Sequence, residues 1–269
     1  MSGVRSSCRV MGIVNVTPDS FSDGGRFFAP EEAIRRAMNL VEGGADILDI
    51  GGESTRPGST PIDWEEEWGR IEPVLRGLSP SGLGTVPVSV DTYHPETAER
   101  AIDAGASIIN CVYEEPVPRM LELMGKHKDV ELVIPASVFG VFRSGGQSPS
   151  PQGGQSPGLP SPELRPRLYL DPMIGFGTTR EEDVARLRSV SELARIGRVL
   201  VGASRKRIVK KLTGERMTGK NLGGNVGLAV WAAMNGASVV RVHDVRETVQ
   251  ALRVIAALAV APSQLTEAR

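Results

Sequence analysis

Short apolar runs along the chain stop, one after another, at side chains that a core cannot satisfy. The run "RVMGIV" meets Asn15, and "DILDI", which carries Asp49, opens into "GGESTRPG" with Thr55 and Arg56. Later runs stop at Asp91, at Asn110, at Asp171, at Gly202 followed by Ser204, Lys206 and Arg207, and at Arg241 with His243. Any one of these is what an ordinary helix cap or wet strand end would be. Together they supply carboxylates, carboxamides, cations and an imidazole to one place, provided the runs are strands that end on a common face. Carboxylates and amides in such a setting suit a flat heterocycle with an amidine-like edge, because a carboxylate accepts two parallel N–H bonds from it. Asn15, Thr55, Arg56, Arg241 and His243 beside glycine-rich loops suit a phosphorylated group with its Mg²⁺. His243 is one of 3 histidines and sits between Arg241 and Asp244 in a charged strand terminus, whereas His94 and His127 fall in helical contexts and read as structural or exposed. There is no zinc-ligand spacing and no G-x-S-x-G elbow, and Gly24-Gly25 and Gly51-Gly52 match neither a dinucleotide fingerprint nor a phosphate loop of the Walker type.

Strands must deliver those residues. "RVMGIV", "DILDI", "VPVSV", "SIIN", "VELVI", "RLYL", "RVLVG" and "SVVRV" are short β-rich runs at roughly 20 to 40 residue intervals, alternating with amphipathic stretches. That rhythm predicts an α/β fold, a (β/α)₈ barrel of parallel strands whose reacting groups gather at the carboxyl ends. The runs are nearly all apolar, as burial on both faces requires, where an antiparallel sandwich would alternate. Pro30 starts the first helix, Ala33, Ile34, Ala37, Met38 and Val41 recur at helical spacing, and Gly43-Gly44 stop it. "EEDVARLRSVSELARIG" reads as one further helix. From Ser144 to Pro166 the chain is rich in Gly, Pro and Ser and repeats Gly-Gly-Gln-Ser-Pro, so it cannot bury enough apolar area to offset its ordering. It stands where the fifth helix should be and reads as a disordered excursion within a single domain spanning 1–269.

The 269 residues suit one such barrel, and with 40% hydrophobic residues, 23% charged residues and a net charge of -1 the chain has no global pull toward nucleic acid or a membrane surface. No apolar run reaches the roughly 18 residues of a membrane span. The start "MSGVRS" lacks the apolar stretch of a secretory signal and Cys8 and Cys111 form no motif, so the cytoplasm is the expected compartment.

"MGIVNVTPDSFSDGG", "DILDIGGESTRPG", "VSVDT", "IIN", "LDPMIGFG", "LVGASRKR" and "RVHDV", in this order, closely resemble the dihydropteroate synthase family, and they run from the first strand to the last. The resemblance implies a barrel that joins 6-hydroxymethyl-7,8-dihydropterin pyrophosphate to p-aminobenzoate in folate biosynthesis, a sulfonamide target. It implies that Asp91, Asn110, Asp171 and Lys206 contact the pterin ring. Asn15 would contact the Mg²⁺ of the pyrophosphate, with Thr55, Arg56, Arg241 and His243 at pyrophosphate and loop positions and Asp49 ordering those loops. Phe176 and Gly202 would line the p-aminobenzoate channel, and Ser204 and Arg207 flank Lys206 there. The family reaction is dissociative, with pyrophosphate leaving before the aniline attacks. The chain departs from the pattern at Cys111, at "VIPASV", over 144–166, at Met173 and at Arg207. A methyltetrahydrofolate-dependent methyltransferase and a non-catalytic paralogue are the alternatives. Family resemblance and the apolar run "GLAVWAAMNGA" imply a homodimer built on the last helices.

Overall fold

The computed structural model describes residues 8–17, 30–54, 59–78, 85–140 and 161–259, so Thr55, Arg56 and residues 144–160 of the Gly/Pro/Ser-rich stretch lie outside it. Eight strands, β1 (Arg9–Asn15), β2 (Ile47–Gly51), β3 (Val88–Asp91), β4 (Ile108–Asn110), β5 (Glu131–Pro135), β6 (Leu168–Asp171), β7 (Arg198–Val201) and β8 (Val239–Val242), form a closed barrel in sequence order. All neighbours are parallel, including β8 with β1, where Met11 stands beside Arg241. The helices described around it are α1 (Pro30–Glu42), α2 (Trp64–Leu78), α3 (Pro95–Asp103), α4 (Val117–Lys126), α5 (Arg180–Arg188), α6 (Val190–Ile196), α7 (Arg207–Thr213), α8 (Leu222–Met234) and α9 (Val245–Ala259). Among the described residues, none of them is long and apolar enough to cross a membrane.

The two-residue period of a strand decides what faces the barrel axis. Met11, Ile47, Ile108, Val133, Tyr169, Leu200 and Val239 pack together as an apolar plug, separate from the larger core that Val10, Leu48, Ile50, Val90, Ile109 and Leu170 make with the helices. Two residues beyond the plug the strands carry Asp49, Asn110, Asp171, Gly202 and Arg241, which puts polar groups at the C-terminal mouth. Two residues before it stand Arg9, Glu131 and Arg198. Arg198 Nη1 donates to Glu131 Oε1 at 2.5 Å and to the Tyr169 hydroxyl at 2.9 Å, its guanidinium lies 4.0 Å from the Tyr169 ring centroid, and Arg9 also donates to that hydroxyl. Charge thus closes the N-terminal end while the mouth is left for chemistry.

Several elements differ from the sequence reading. The single helix expected over "EEDVARLRSVSELARIG" is two, α5 and α6, separated at Ser189, whose hydroxyl donates to the Arg186 carbonyl at 2.8 Å and competes with the helical pattern there. The buried face of α1 centres on Ala33, Ala37 and Leu40, with Ile34 and Val41 at its margin. Helix α2 was not anticipated, and Pro73 inside it obscures its periodicity. Between β5 and β6 the described residues hold two 3₁₀ turns, Ala136–Phe139 and Arg165–Arg167, and no α-helix.

Candidate active site

Arg241 organises the mouth. From β8 its Nε donates to Asp49 Oδ2 of β2 at 2.5 Å and its Nη2 to Asp91 Oδ2 of β3 at 2.6 Å. Asn110 of β4 adds a third strand end by donating from Nδ2 to the same Asp49 oxygen at 3.2 Å. Asp49 has no exposed surface, and these two donors meet its Oδ2 where water cannot. Burial works against the charge of Arg241, but Asp49 and Asp91 more than offset it and hold the guanidinium protonated well above its ordinary range. Asp91 goes the other way: loss of solvent raises its carboxyl above the usual range, with Arg241 opposing. Asp49 Oδ1 and Asn110 Oδ1 are buried without a hydrogen-bond partner among the described residues, acceptors suited to a ligand rich in N–H donors.

Across the mouth, Asp171 is 3% exposed and burial raises its carboxyl, with Lys206 as the chief opposing influence. Its Oδ1 accepts from the Met173 N–H at 2.6 Å. Lys206 is lowered to about 8, first by burial, while Asp171 works to keep it charged. Its Nζ donates to the Ile174 carbonyl at 2.7 Å and lies 4.2 Å from the centroid of the Phe176 ring, so lysine, carboxylate and aromatic form one wall. A Cβ on Gly202 would stand 3.7 Å from Arg241 Cδ and 4.0 Å from Asp171 Oδ2, and glycine keeps that space between the two walls open.

His243 is pushed down to about 3 by burial, with Arg205 and Arg241 adding to it, so its imidazole is neutral. Ser204 Oγ accepts from the His243 N–H at 3.3 Å and lies 3.1 Å from Nδ1. A neutral imidazole has one donor and one acceptor nitrogen, and Ser204 Oγ occupies the Nδ1 side. Asn15, half-buried, ends β1. Cys111 is buried, its thiol pushed up to about 12, first by burial, and it acts as a small core residue.

Arg207 is exposed, and its Nη2 donates to the Thr178 carbonyl at 2.5 Å, tying the start of α7 to the loop after β6. That loop is held in ways the sequence reading missed. Asp183, 1% exposed on α5, accepts from the Gly175 N–H at 2.8 Å and from the Thr178 hydroxyl, and Arg186 Nη1 donates to the Met173 carbonyl at 2.8 Å. The available signal was the four-residue spacing of Asp183 from buried Leu187, which places an acid on the inner helix face. Met173 has φ 60 and Arg205 φ 58, a left-handed backbone that costs a residue other than glycine about 1–2 kcal/mol. Thr55 and Arg56 lie outside the described residues. Of the other candidate site residues, Asn15, Asp49, Asp91, Asn110, Asp171 and Arg241 lie on strands, at or within two residues of their C-terminal ends, Phe176, Gly202, Ser204, Lys206 and His243 follow strands, and Arg207 opens α7.

Residues 11–139 and 163–243 match the family model described as pterin binding enzyme, and the chain belongs to this family. Its relatives include the dihydropteroate synthase of Neisseria meningitidis serogroup B, 38% identical over 94% of this chain and 93% of that protein. Two solved structures of Xanthomonas albilineans dihydropteroate synthase superpose on it. The one with 4-aminobenzoic acid has a TM-score of 0.81 at 36% identity, and the one in complex with 7,8-dihydropteroate has 0.78 at 35%, each covering 96% of this chain and 95% of the other.

Proposed function

We propose that this chain condenses 6-hydroxymethyl-7,8-dihydropterin pyrophosphate with p-aminobenzoate, forming 7,8-dihydropteroate and pyrophosphate. The observation that carries the reading is the convergence of Asp91, Asn110 and Asp171, from separate strands, with Lys206 and Arg241 at one mouth. The carboxylates accept from the donor-rich edge of the pterin, Asn110 Oδ1 accepts a further N–H, and Lys206 donates to a ring acceptor. Arg241, fixed in orientation by Asp49 and Asp91, and neutral His243 face the departing diphosphate. A guanidinium held in advance stabilises that developing charge without reorganising. The nearby carboxylates offset positive charge on the pterin methylene before the aniline nitrogen attacks. Phe176 and Gly202 border the p-aminobenzoate side, Ser204 orients His243, and Arg207 holds Thr178 at the edge of that side. Thr55 and Arg56 complete the diphosphate site in this reading.

Mg²⁺ belongs to the proposal. Among the described residues no group of His, Cys, Asp and Glu could hold a metal ion by itself. The residues nevertheless fit this ion, because Mg²⁺ keeps its waters and takes most other oxygens from substrate phosphates, so the Asn15 amide oxygen suffices as a protein ligand. When bound it would neutralise the leaving diphosphate. Pyrophosphate release on mixing the chain with both substrates and Mg²⁺ tests the function, and no release from the complete mixture would overturn it.

Lys206 makes a second test. If its charged form is required, kcat/KM is expected to be full below pH about 8 and to fall as pH rises through that value. Lys206→Arg, which stays protonated, should remove the alkaline limb even where it lowers the rate. An unchanged limb would assign it to another group.

The reading includes a cytoplasmic homodimer. Leu222, Trp231 and Met234 leave apolar surface exposed on α8, at 39%, 37% and 55%, which a second copy would cover. Light scattering of the purified chain tests the dimer, with a monomeric mass as the contrary result, and cell fractionation tests the compartment.

A further inference from the structure

Behind the mouth lies an amide whose hydrogen bonds go to none of the groups assigned to substrate. Asn225, in the first turn of α8, is 5% exposed. Its Oδ1 accepts from the Arg205 N–H at 2.9 Å, and its Nδ2 donates to Asp244 Oδ2 and to Asn221 Oδ1, both at 3.3 Å. Asp244 Oδ1 in turn accepts from Arg205 Nη2 at 2.6 Å. One side chain thus ties the loop after β7 to the loop after β8, and it grips the first at the residue whose backbone is left-handed, Arg205 with φ 58.

That backbone conformation matters to the site. Arg205 stands between Ser204, which meets His243, and Lys206, which reaches Ile174 and the Phe176 ring. Turning residue 205 out of the left-handed region changes the relative direction of its two neighbours, so the pair could not both keep these contacts. Any residue but glycine resists the conformation, and a buried amide that accepts its N–H is what counters that resistance.

We propose that Asn225 is a positioning residue for the reaction, acting through the left-handed backbone of Arg205 to aim Lys206 and Ser204 at once. The inference rests on the proposed function. It explains why a polar side chain is buried on a helix face otherwise lined by Ala229 and Ala232.

A double-mutant cycle tests it. Asn225→Ala should lower kcat/KM about tenfold or more and weaken binding of the pterin pyrophosphate in calorimetry by a similar factor. Arg205→Gly alone should stay within about threefold, since glycine adopts the conformation freely and the lost pair with Asp244 is partly exposed. In the Asn225→Ala background, Arg205→Gly should restore most of the lost binding and rate. That rescue is not expected of a residue that serves only the packing of α8. Full activity in Asn225→Ala, or simple additivity in the double variant, would overturn the proposal. If Asn225→Ala alone does not fold, a folded and active double variant supports the proposal and an unfolded one overturns it. Wild type that binds pterin but releases no pyrophosphate would count against the proposed reaction, and the calorimetric arm would still decide the role of Asn225.

Discussion

Asp171→Asn is expected to lower kcat/KM at least about 100-fold, with the loss appearing as weakened pterin binding. Hydrogen bonds to a charged group contribute about 1.5–3 kcal/mol each, and the amide replaces an acceptor with a donor where a two-donor ring edge must meet the carboxylate. Lys206 suffers as well, because after burial, which lowers it, Asp171 is the main influence keeping it protonated. Stability should move the other way. Burial raises the folded pKa of Asp171, so this group favours folding at low pH and loses that contribution as pH rises through its folded value. A neutral amide removes that cost, and Asn retains an oxygen for the Met173 N–H. The variant should therefore unfold at the same urea concentration as wild type or higher at pH 7.5. Calorimetry with a pterin pyrophosphate and urea titration together check this. Equal pterin binding would refute the site, and a large loss of stability would make Asp171 a structural residue.

Arg241→Met is expected to be costly in both respects. It leaves Asp49, with no exposed surface, and Asp91 facing each other without their cation. Breaking a largely buried pair by removing one partner costs about 3–5 kcal/mol, a large share of a typical domain's 5–15 kcal/mol. The deficit should depend on pH with a definite sign. Arg241 opposes the burial that raises Asp91, so without it the folded pKa of Asp91 climbs further above its unfolded value. A carboxyl raised in this way favours folding while protonated and loses that contribution as pH rises, so the gap from wild type should be smaller at pH 5 than at pH 8. Arg241→Lys is the control: it restores a charge, but a single ammonium cannot fork to both carboxylates, so stability should recover more than activity does. Urea titrations at the two pH values measure this, and a gap that widens toward acid would show that the carboxylates are not what Arg241 holds.

Much of this was legible in the chain. Asn15, Asp91, Asn110 and Asp171 end strands, Asp49 and Arg241 lie within two residues of a strand end, and His243 follows one, because a two-residue period and a run of apolar residues are local properties. Once eight such runs are read as parallel, their ends share a face. The quoted motifs carried the resemblance for the same reason, since each is a short contiguous stretch of the chain. Partner choice within the mouth was not local. The resemblance gives Asp49 a role in ordering loops and names no partner for it; in the structure it binds Arg241 from 192 positions away, and Asp91 does so from 150. Only closure of β8 onto β1 brings β2, β3 and β8 to one end, and burial then makes each charge select its nearest counter-charge. The grip of Asn225 on Arg205 and of Asp183 on the Gly175 loop needs helices packed at a particular depth against the barrel. A sequence pattern states which face of a helix is buried, but it does not state which backbone that face will meet.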